Sequence, residues 1–380
     1  MPLERIHRDR IYLDHNATAP LRPEARAAMI DALDHVGNPS SVHAEGRAAR
    51  AMIERSRDAI RALVGARNAD VTFTSGATEA NNWVLRAGWD TIIHAGVEHD
   101  SILGPAEKSG ARLVALPVEH TGEVRVSAIA DHVLLGSRPL GRDLVTLQLA
   151  NSETGVLQDV ATAADFCAAH DVFTHCDAVQ APGRIPVSFD DLGIDAMTIS
   201  SHKIGGPGGV GCLITRPSLA LAPHIFGGGQ EMRRRAGTEN VAAISGFGAA
   251  AAAALAELDA TDAIRHLRDQ LEDGIRALTP SAEIIGADAD RLPNTTCVAV
   301  PGLKAETLVI KFDLAGIAIS AGSACSSGKV GASSSLGAMQ LEPALANAAI
   351  RISLGWTTSN NDLEPFLSTW QTIVGRGART

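Results

Sequence analysis

The sequence predicts an α/β protein: a large domain on a mostly parallel sheet with helices on its faces, then a smaller α+β domain. Three observations carry this reading. Short, continuously apolar runs alternate with helical patterns through the first two-thirds of the chain. Strands without in–out alternation are those buried on both faces of a parallel sheet. The texture then changes after an alanine-rich stretch, Asn240 to Ala256, and 380 residues suffice for two cores.

Taken in order, Leu21 to His35 and Gly46 to Val64 read as helices. The second carries Ala49, Met52, Ile53, Ile60 and Leu63 near helical spacing, with charges between them. Val71 to Thr74 is a strand ending at Ser75-Gly76, and Ala77 to Arg86 a helix. Thr91 to His94, Leu144 to Leu149 and Val172 to His175 are further strands. Ala196 to Ile199 and Val210 to Thr215 are two more, joined through a glycine turn. Asn240 to Ala256 is uncharged apart from its flanks. It is too short to span a bilayer comfortably and reads as a helix packed closely on a neighbour. Thr261 to Leu278 is a charged amphipathic helix. Thr295 to Val300 is a strand, Ala305 to Ala315 a helix and Ile317 to Ser320 a strand. Ala344 to Ile350 opens into Arg351-Ile-Ser-Leu-Gly355, and a helix ends the chain. The expected divisions are 1–15, packing with the small domain; 16–250, the large domain; and 251–380, the small one.

Composition narrows the function. A net charge of −10 argues against a surface that coats nucleic acid. Met1 to Arg10 has no apolar run, so neither a secretory signal nor a membrane anchor is expected. The five cysteines, Cys167, Cys176, Cys212, Cys297 and Cys325, form no CxxC pair and no zinc spacing. An odd, scattered set fits a reducing compartment, hence a cytoplasmic location, and no metal ligands are expected.

Polar clusters follow the strands, where ligands of open α/β sheets sit. Lys203, in Ser200-Ser-His-Lys203 before Gly205-Gly-Pro-Gly-Gly209, stands at a strand end. A fixed, partly desolvated amine there suits Schiff-base chemistry with an aldehyde cofactor such as pyridoxal phosphate (PLP). Taken alone, a lysine before a glycine turn is usually a solvated strand end. Ser75-Gly-Ala-Thr78 opens a helix and offers N–H groups and hydroxyls to a phosphate, or is simply an N-cap. Asp177 and Gln180 suit a pyridine nitrogen and a phenolate oxygen, or a turn. His99 suits stacking on a ring and proton transfer, or capping. Thr238 offers a further phosphate contact, and either it or Asn240 caps the next helix. Cys325, in Ser323-Ala-Cys-Ser-Ser327 between Gly322 and Gly328, has the small polar neighbours of an exposed nucleophile rather than of a core thiol. Arg351 suits a carboxylate clamp or a structural ion pair.

Together these segments resemble the cysteine desulfurases of the NifS/IscS type, a branch of the PLP-dependent fold type I, class V aminotransferase-like enzymes. The matching segments run in order: Tyr12 to Thr18, Gly37 to Ser41, Thr74 to Glu79, Glu98-His99, Glu153-Thr-Gly155, Asp177 to Gln180, Ser200 to Lys203, Gly237 to Asn240, Ser323 to Ser327 and Arg351 to Gly355. The resemblance implies a seven-stranded sheet in the large domain. It implies that Lys203 holds PLP as an internal aldimine and moves the substrate Cα proton. Ala77, Thr78, Ser200, His202 and Thr238 would bind the phosphate, Thr238 from the other subunit of a homodimer. Asp177 would pair with the ring nitrogen, Gln180 with the phenolate oxygen, and His99 would stack on the ring. Arg351 and Asn16 would bind the substrate, L-cysteine. Cys325 would take the sulfur as a persulfide, releasing L-alanine, and pass it to an acceptor such as an iron–sulfur scaffold or a tRNA-thiolation protein. Through that persulfide Cys325 would meet an iron–sulfur cluster.

The chain departs from the family pattern in four places. Asn151-Ser152 stands where two asparagines are usual, which leaves the ring contact to Ser152 or Asn151. Ala236, Gly208 and Ala19 replace a serine, a lysine and a threonine. Selenocysteine lyase chemistry, and a partner protein without turnover, are the alternative readings.

Overall fold

The computed structural model describes residues 10–134, 141–321 and 333–377. Its central sheet has seven strands: β2 (Asp70–Thr74), β3 (Thr91–Ala95), β4 (Arg112–Leu116), β5 (Asp143–Gln148), β6 (Phe173–Asp177), β7 (Ala196–Ser200) and β8 (Gly211–Thr215). Their spatial order is β2-β8-β7-β6-β5-β3-β4. β3 to β7 pair in parallel, and β8 runs antiparallel to both its neighbours. β5, β7 and β8 are buried throughout, as their unbroken apolar runs require.

Three differences from the sequence reading have physical causes. β4 has no counterpart there, because Arg112, Leu113 and Ala115 are exposed at the sheet edge and its apolar signal is diluted. The strand expected over Ile317 to Ser320 is two. β11 (Ile317–Ala318) pairs in parallel with β1 (Ile11–Tyr12), and β12 (Ser320–Ala321) belongs to another sheet. β6 runs on through Asp177, so that carboxylate is on the last strand residue rather than in the following turn.

Helices Pro23–Asp34 and Ala44–Leu63 lie against the alanine-rich helix Val241–Ala256. Small residues permit the close approach: a Cβ at Gly248 would lie 2.6 Å from Ser56 Cα, and one at Gly246 2.6 Å from Met29 Cγ. Asn240, not Thr238, caps this helix, accepting from Ala243 N at 3.1 Å.

A second sheet, antiparallel, runs β12-β13-β10-β9, with β9 (Glu283–Ile285), β10 (Thr295–Ala299) and β13 (Ala349–Ser353). Its outer face packs on helices Thr261–Leu278, Ala305–Leu314 and Asn360–Gly377 through Leu271, Ile275, Phe312, Phe366 and Trp370. Leu13 is buried in that same core, and Asp14 bridges to Ser353. Among the described residues no single helix is long and apolar enough to cross a membrane.

Candidate active site

The carboxyl ends of β2, β6 and β7, with the turns that follow β3 and β5, converge on a cavity of about 310 Å³. After β2, Ser75, Gly76, Ala77 and Thr78 line it at the start of helix Ala77–Leu85. First-turn N–H groups have no carbonyl partner in their own helix, so they face the cavity as donors. Gly211 on β8 allows this helix start to nest on the sheet, because a Cβ there would lie 2.8 Å from Gly76 C. Glu79 anchors the turn: its carboxylate accepts from Ser75 N at 2.7 Å and pairs with Arg235 at 2.9 Å.

After β3, His99 caps helix Asp100–Glu107, its Nδ1 at 2.8 Å from Ser101 Oγ and accepting from Ser101 N at 3.0 Å. Its ring lines the cavity too, so the capping and functional readings coexist. The preceding turn is pinned to β5. Gln148 N donates to Glu98 Oε1 at 2.8 Å, and Gln148 Nε2 to Val97 O at 2.7 Å. Burial, aided by the Asp177 carboxylate, pushes Glu98 well above the usual carboxylate range.

Asp177, level with Gln148 on β5 and Thr198 on β7, is nearly buried. Asn81 Nδ2 donates to its Oδ2 at 2.8 Å and Val179 N to its Oδ1 at 3.0 Å. The carboxylate is thereby aimed into the cavity in one orientation. Gln180 lies one turn on, and Ser200, His202 and Lys203 line the adjoining wall after β7. Lys203 Nζ donates to the carbonyls of Asn16 at 2.5 Å and Ala17 at 2.9 Å. Burial and neighbouring Lys203 lower the His202 pKa to about 4, so its ring is neutral; its Nδ1 sits 3.2 Å from Thr18 Oγ1.

Of the Asn151-Ser152 pair, only Ser152 lines the cavity. The Asn151 amide is committed to its own turn: Oδ1 accepts from Glu153 N and Thr154 N, both at 2.9 Å. Its Nδ2 donates to Val97 O at 3.1 Å. Arg351, buried on β13, donates to Ser152 O at 3.1 Å and pairs with Asp14 at 2.8 Å. Asn16 stands beside it, Nδ2 donating to Ser152 O at 3.1 Å and Thr295 Oγ1 at 2.9 Å. Glu153 accepts from Ser333 Oγ at 2.8 Å, and burial raises its pKa to about 7 against the pull of Ser333 and Arg351.

Ala77, Thr78, His99, Ser152, Asp177, Gln180, Ser200, His202 and Lys203 therefore share one cavity wall system. Asn16, Asn151 and Arg351 stand behind it, and Thr238 is exposed and not part of its lining. Cys325 lies outside the described residues. Asn81, Ser101, Gln148 and Gly209 also belong to the site and were not singled out from sequence. Asn81 was within reach of sequence reasoning, since it follows Ala77 by four residues and shares its helix face.

The aminotransferase class-V family matches residues 11–366. Over 378 residues the chain is 36% identical to cysteine desulfurase IscS of Dictyoglomus turgidum, covering 96% of this chain and 94% of the other. A cysteine desulfurase of Cereibacter sphaeroides is 39% identical over 364 residues, 92% of each chain. Among solved structures, a NifS-like protein from Rickettsia africae superposes with a TM-score of 0.89 at 36% identity, covering 96% of this chain and 99% of that one. The chain belongs to the aminotransferase class-V family, whose members are generally PLP-dependent. Within it, the chain stands with the cysteine desulfurases of the NifS/IscS type.

Proposed function

We propose that the protein is a PLP-dependent cysteine desulfurase, converting L-cysteine to L-alanine and delivering the sulfur to an acceptor protein through Cys325. The observation that carries this reading is the single cavity shared by Lys203, Asp177 and the Ser75–Thr78 helix start. Its donor set fits PLP: an amine on one wall, an oriented carboxylate across it, and N–H and hydroxyl donors for a phosphate. There is also room, since a Cβ at Gly76 or Gly209 would meet nothing within 4 Å.

When bound, PLP supplies an electron sink for the substrate Cα. The residues do the rest. Asp177 would hold a proton on the pyridine nitrogen, and Asn81 keeps that carboxylate facing the cavity. Gln180 and Ser152 orient the ring edge, and His99 covers its face. Ala77, Thr78, Ser200 and His202 hold the phosphate, with Thr238 supplied by the partner of a homodimer. Arg351 and Asn16 hold the substrate carboxylate. Lys203 Nζ moves the Cα proton. The Cys325 thiolate forms an S–S bond to the substrate sulfur as the Cβ–S bond breaks. The electron pair stays with Cβ, which takes a proton and becomes the methyl of alanine.

The other cysteines support the choice of Cys325. Cys167, Cys176, Cys212 and Cys297 are all buried, and burial pushes each thiol up, Cys167 to about 12. None is a thiolate at neutral pH. In this reading the chain acts in a reducing, cytoplasmic setting, residues 16–250 bind PLP and 251–380 carry the cysteine segment. An iron–sulfur scaffold or a tRNA-thiolation protein is the acceptor class.

Borohydride reduction of the PLP-loaded protein, followed by peptide mapping, tests the lysine assignment. The pyridoxyl label is expected on Lys203, and label on another lysine refutes the site. In the same preparation Lys203→Ala loses the visible cofactor band.

A further inference from the structure

Behind the cavity lies a buried cation that the reaction above does not use. After β6 the chain makes successive turns, Ala181 N to Ala178 O at 3.0 Å and Arg184 N to Ala181 O at 3.0 Å, which fold Arg184 back beneath Gln180. Gly183, at φ +75°, takes the left-handed step that this fold-back needs. Arg184 is buried, and its guanidinium meets only neutral oxygens: Gln180 O at 3.1 Å, Gln180 Oε1, and His15 O at 3.2 Å. Among the described residues no carboxylate pairs with it.

The charged and titratable groups around Arg184 are His15, Arg22, His202, Lys203 and Arg351. Arg22 is matched by Glu257 and Arg351 by Asp14. Burial lowers the His15 pKa to about 3, so that ring is neutral. Burial and Arg351 lower Arg184 itself to about 9, which leaves it charged at neutral pH. A buried, unmatched cation is unfavourable unless the site holds an anion when it works.

The contact to Oε1 has a second consequence. It fixes the Gln180 amide, because the flipped amide would turn its NH2 toward a cation. With Oε1 held by Arg184, Nε2 donates to Asn16 O at 3.1 Å, the same carbonyl that accepts from Lys203 Nζ. Its other N–H is left for the cavity that Gln180 lines.

We propose that Arg184 is a positioning residue for cofactor binding: it locks Gln180 as a donor toward the cofactor's phenolate oxygen and supplies the charge that balances that oxygen. This rests on the PLP reading above.

The test is a spectrophotometric pH titration of the visible band, with PLP affinity, in the PLP-loaded wild type, Arg184→Gln and Arg184→Lys. Arg184→Gln removes a cation near Lys203 Nζ. The protonated chromophore is then favoured, and the apparent pKa of the band rises by about one unit. PLP binding weakens about tenfold in the same variant, the scale of one charge-assisted contact. Arg184→Lys keeps the charge but loses the fork: its band titrates within about 0.3 units of wild type, and PLP binding weakens about threefold. A folded Arg184→Gln protein with wild-type titration and affinity overturns the proposal. Should that variant not fold, wild-type PLP affinity in Arg184→Lys overturns it equally. A wild-type protein that takes up PLP without a visible band refutes the reading of the site, and this proposal with it.

Discussion

Asp177 acts only as well as it is held. Its carboxylate has one side-chain donor, Asn81 Nδ2, and one backbone donor, Val179 N. Replacing Asn81 by Leu leaves a buried carboxylate short of a donor. A hydrogen bond to a charged group is worth about 1.5–3 kcal/mol. PLP affinity is therefore expected to fall at least tenfold, measured by equilibrium dialysis, while unchanged affinity would mean that Asn81 does not orient Asp177. Glu153 gives a second residue-scale prediction. Its folded pKa of about 7 lies above the ordinary carboxylate value of 4.5. The folded state thus holds a proton that the unfolded state releases, and stability present below pH 4.5 is lost as pH rises through 7. The shift corresponds to about 3 kcal/mol. Glu153→Gln removes this titration, so urea melts of wild type and variant should diverge from pH 4.5 to about 7 and run parallel above it, the variant gaining. Curves parallel throughout would place the Glu153 pKa near its ordinary value. At this scale the motifs named most of the cavity wall. They did not name Asn81 or Arg184, because each acts through a partner, Asp177 or Gln180, rather than through a recognisable pattern of its own.

Elements set the cavity by how closely they approach. Helix Ala77–Leu85 starts against Gly211 on β8, with Gly76 and Ala77 backbone atoms at 2.8–2.9 Å from where a Cβ would stand. Backbone cannot swing aside as a side chain can. Gly211→Ala should therefore displace the helix start, at a cost of about 1–3 kcal/mol in stability. Weaker PLP binding is expected with it, read by cofactor retention on gel filtration. Full retention at wild-type stability would show that the helix start tolerates the shift. Strand legibility followed burial. β5, β7 and β8, buried on both faces, stood out as apolar runs, whereas β4 at the edge did not. The run Ile317 to Ser320 read as one strand because sequence carries no mark of a chain passing from one sheet to the next around Ile319.

At the scale of the molecule, the two sheets meet at the site. Arg351 on β13 and Thr295 on β10 reach Ser152 and Asn16, so this side of the cavity is fixed by both sheets. The fold class was legible because alternating buried strands and helices leave few other architectures. Thr238 was legible only as a polar loop residue, since one chain's sequence does not say whose cavity it serves. Its exposure within the chain fits service to a partner. Mixing unfolded Lys203→Ala and Thr238→Glu proteins and refolding them together tests this. Each heterodimer would hold one site with native Lys203 and native Thr238. About a quarter of wild-type activity should return, from half the dimers carrying one good site of two. No recovery would put Thr238 in its own chain's site, or in none.

The most direct measurement joins cofactor, substrate and nucleophile. The PLP-loaded protein is incubated with L-cysteine without reductant, alanine is quantified, and the cysteine peptides are mapped by mass spectrometry. One added sulfur on Cys325, appearing in step with alanine, is the expected result. Alanine formed with Cys325 unlabelled would contradict the transfer and mark an enzyme that expels sulfur directly.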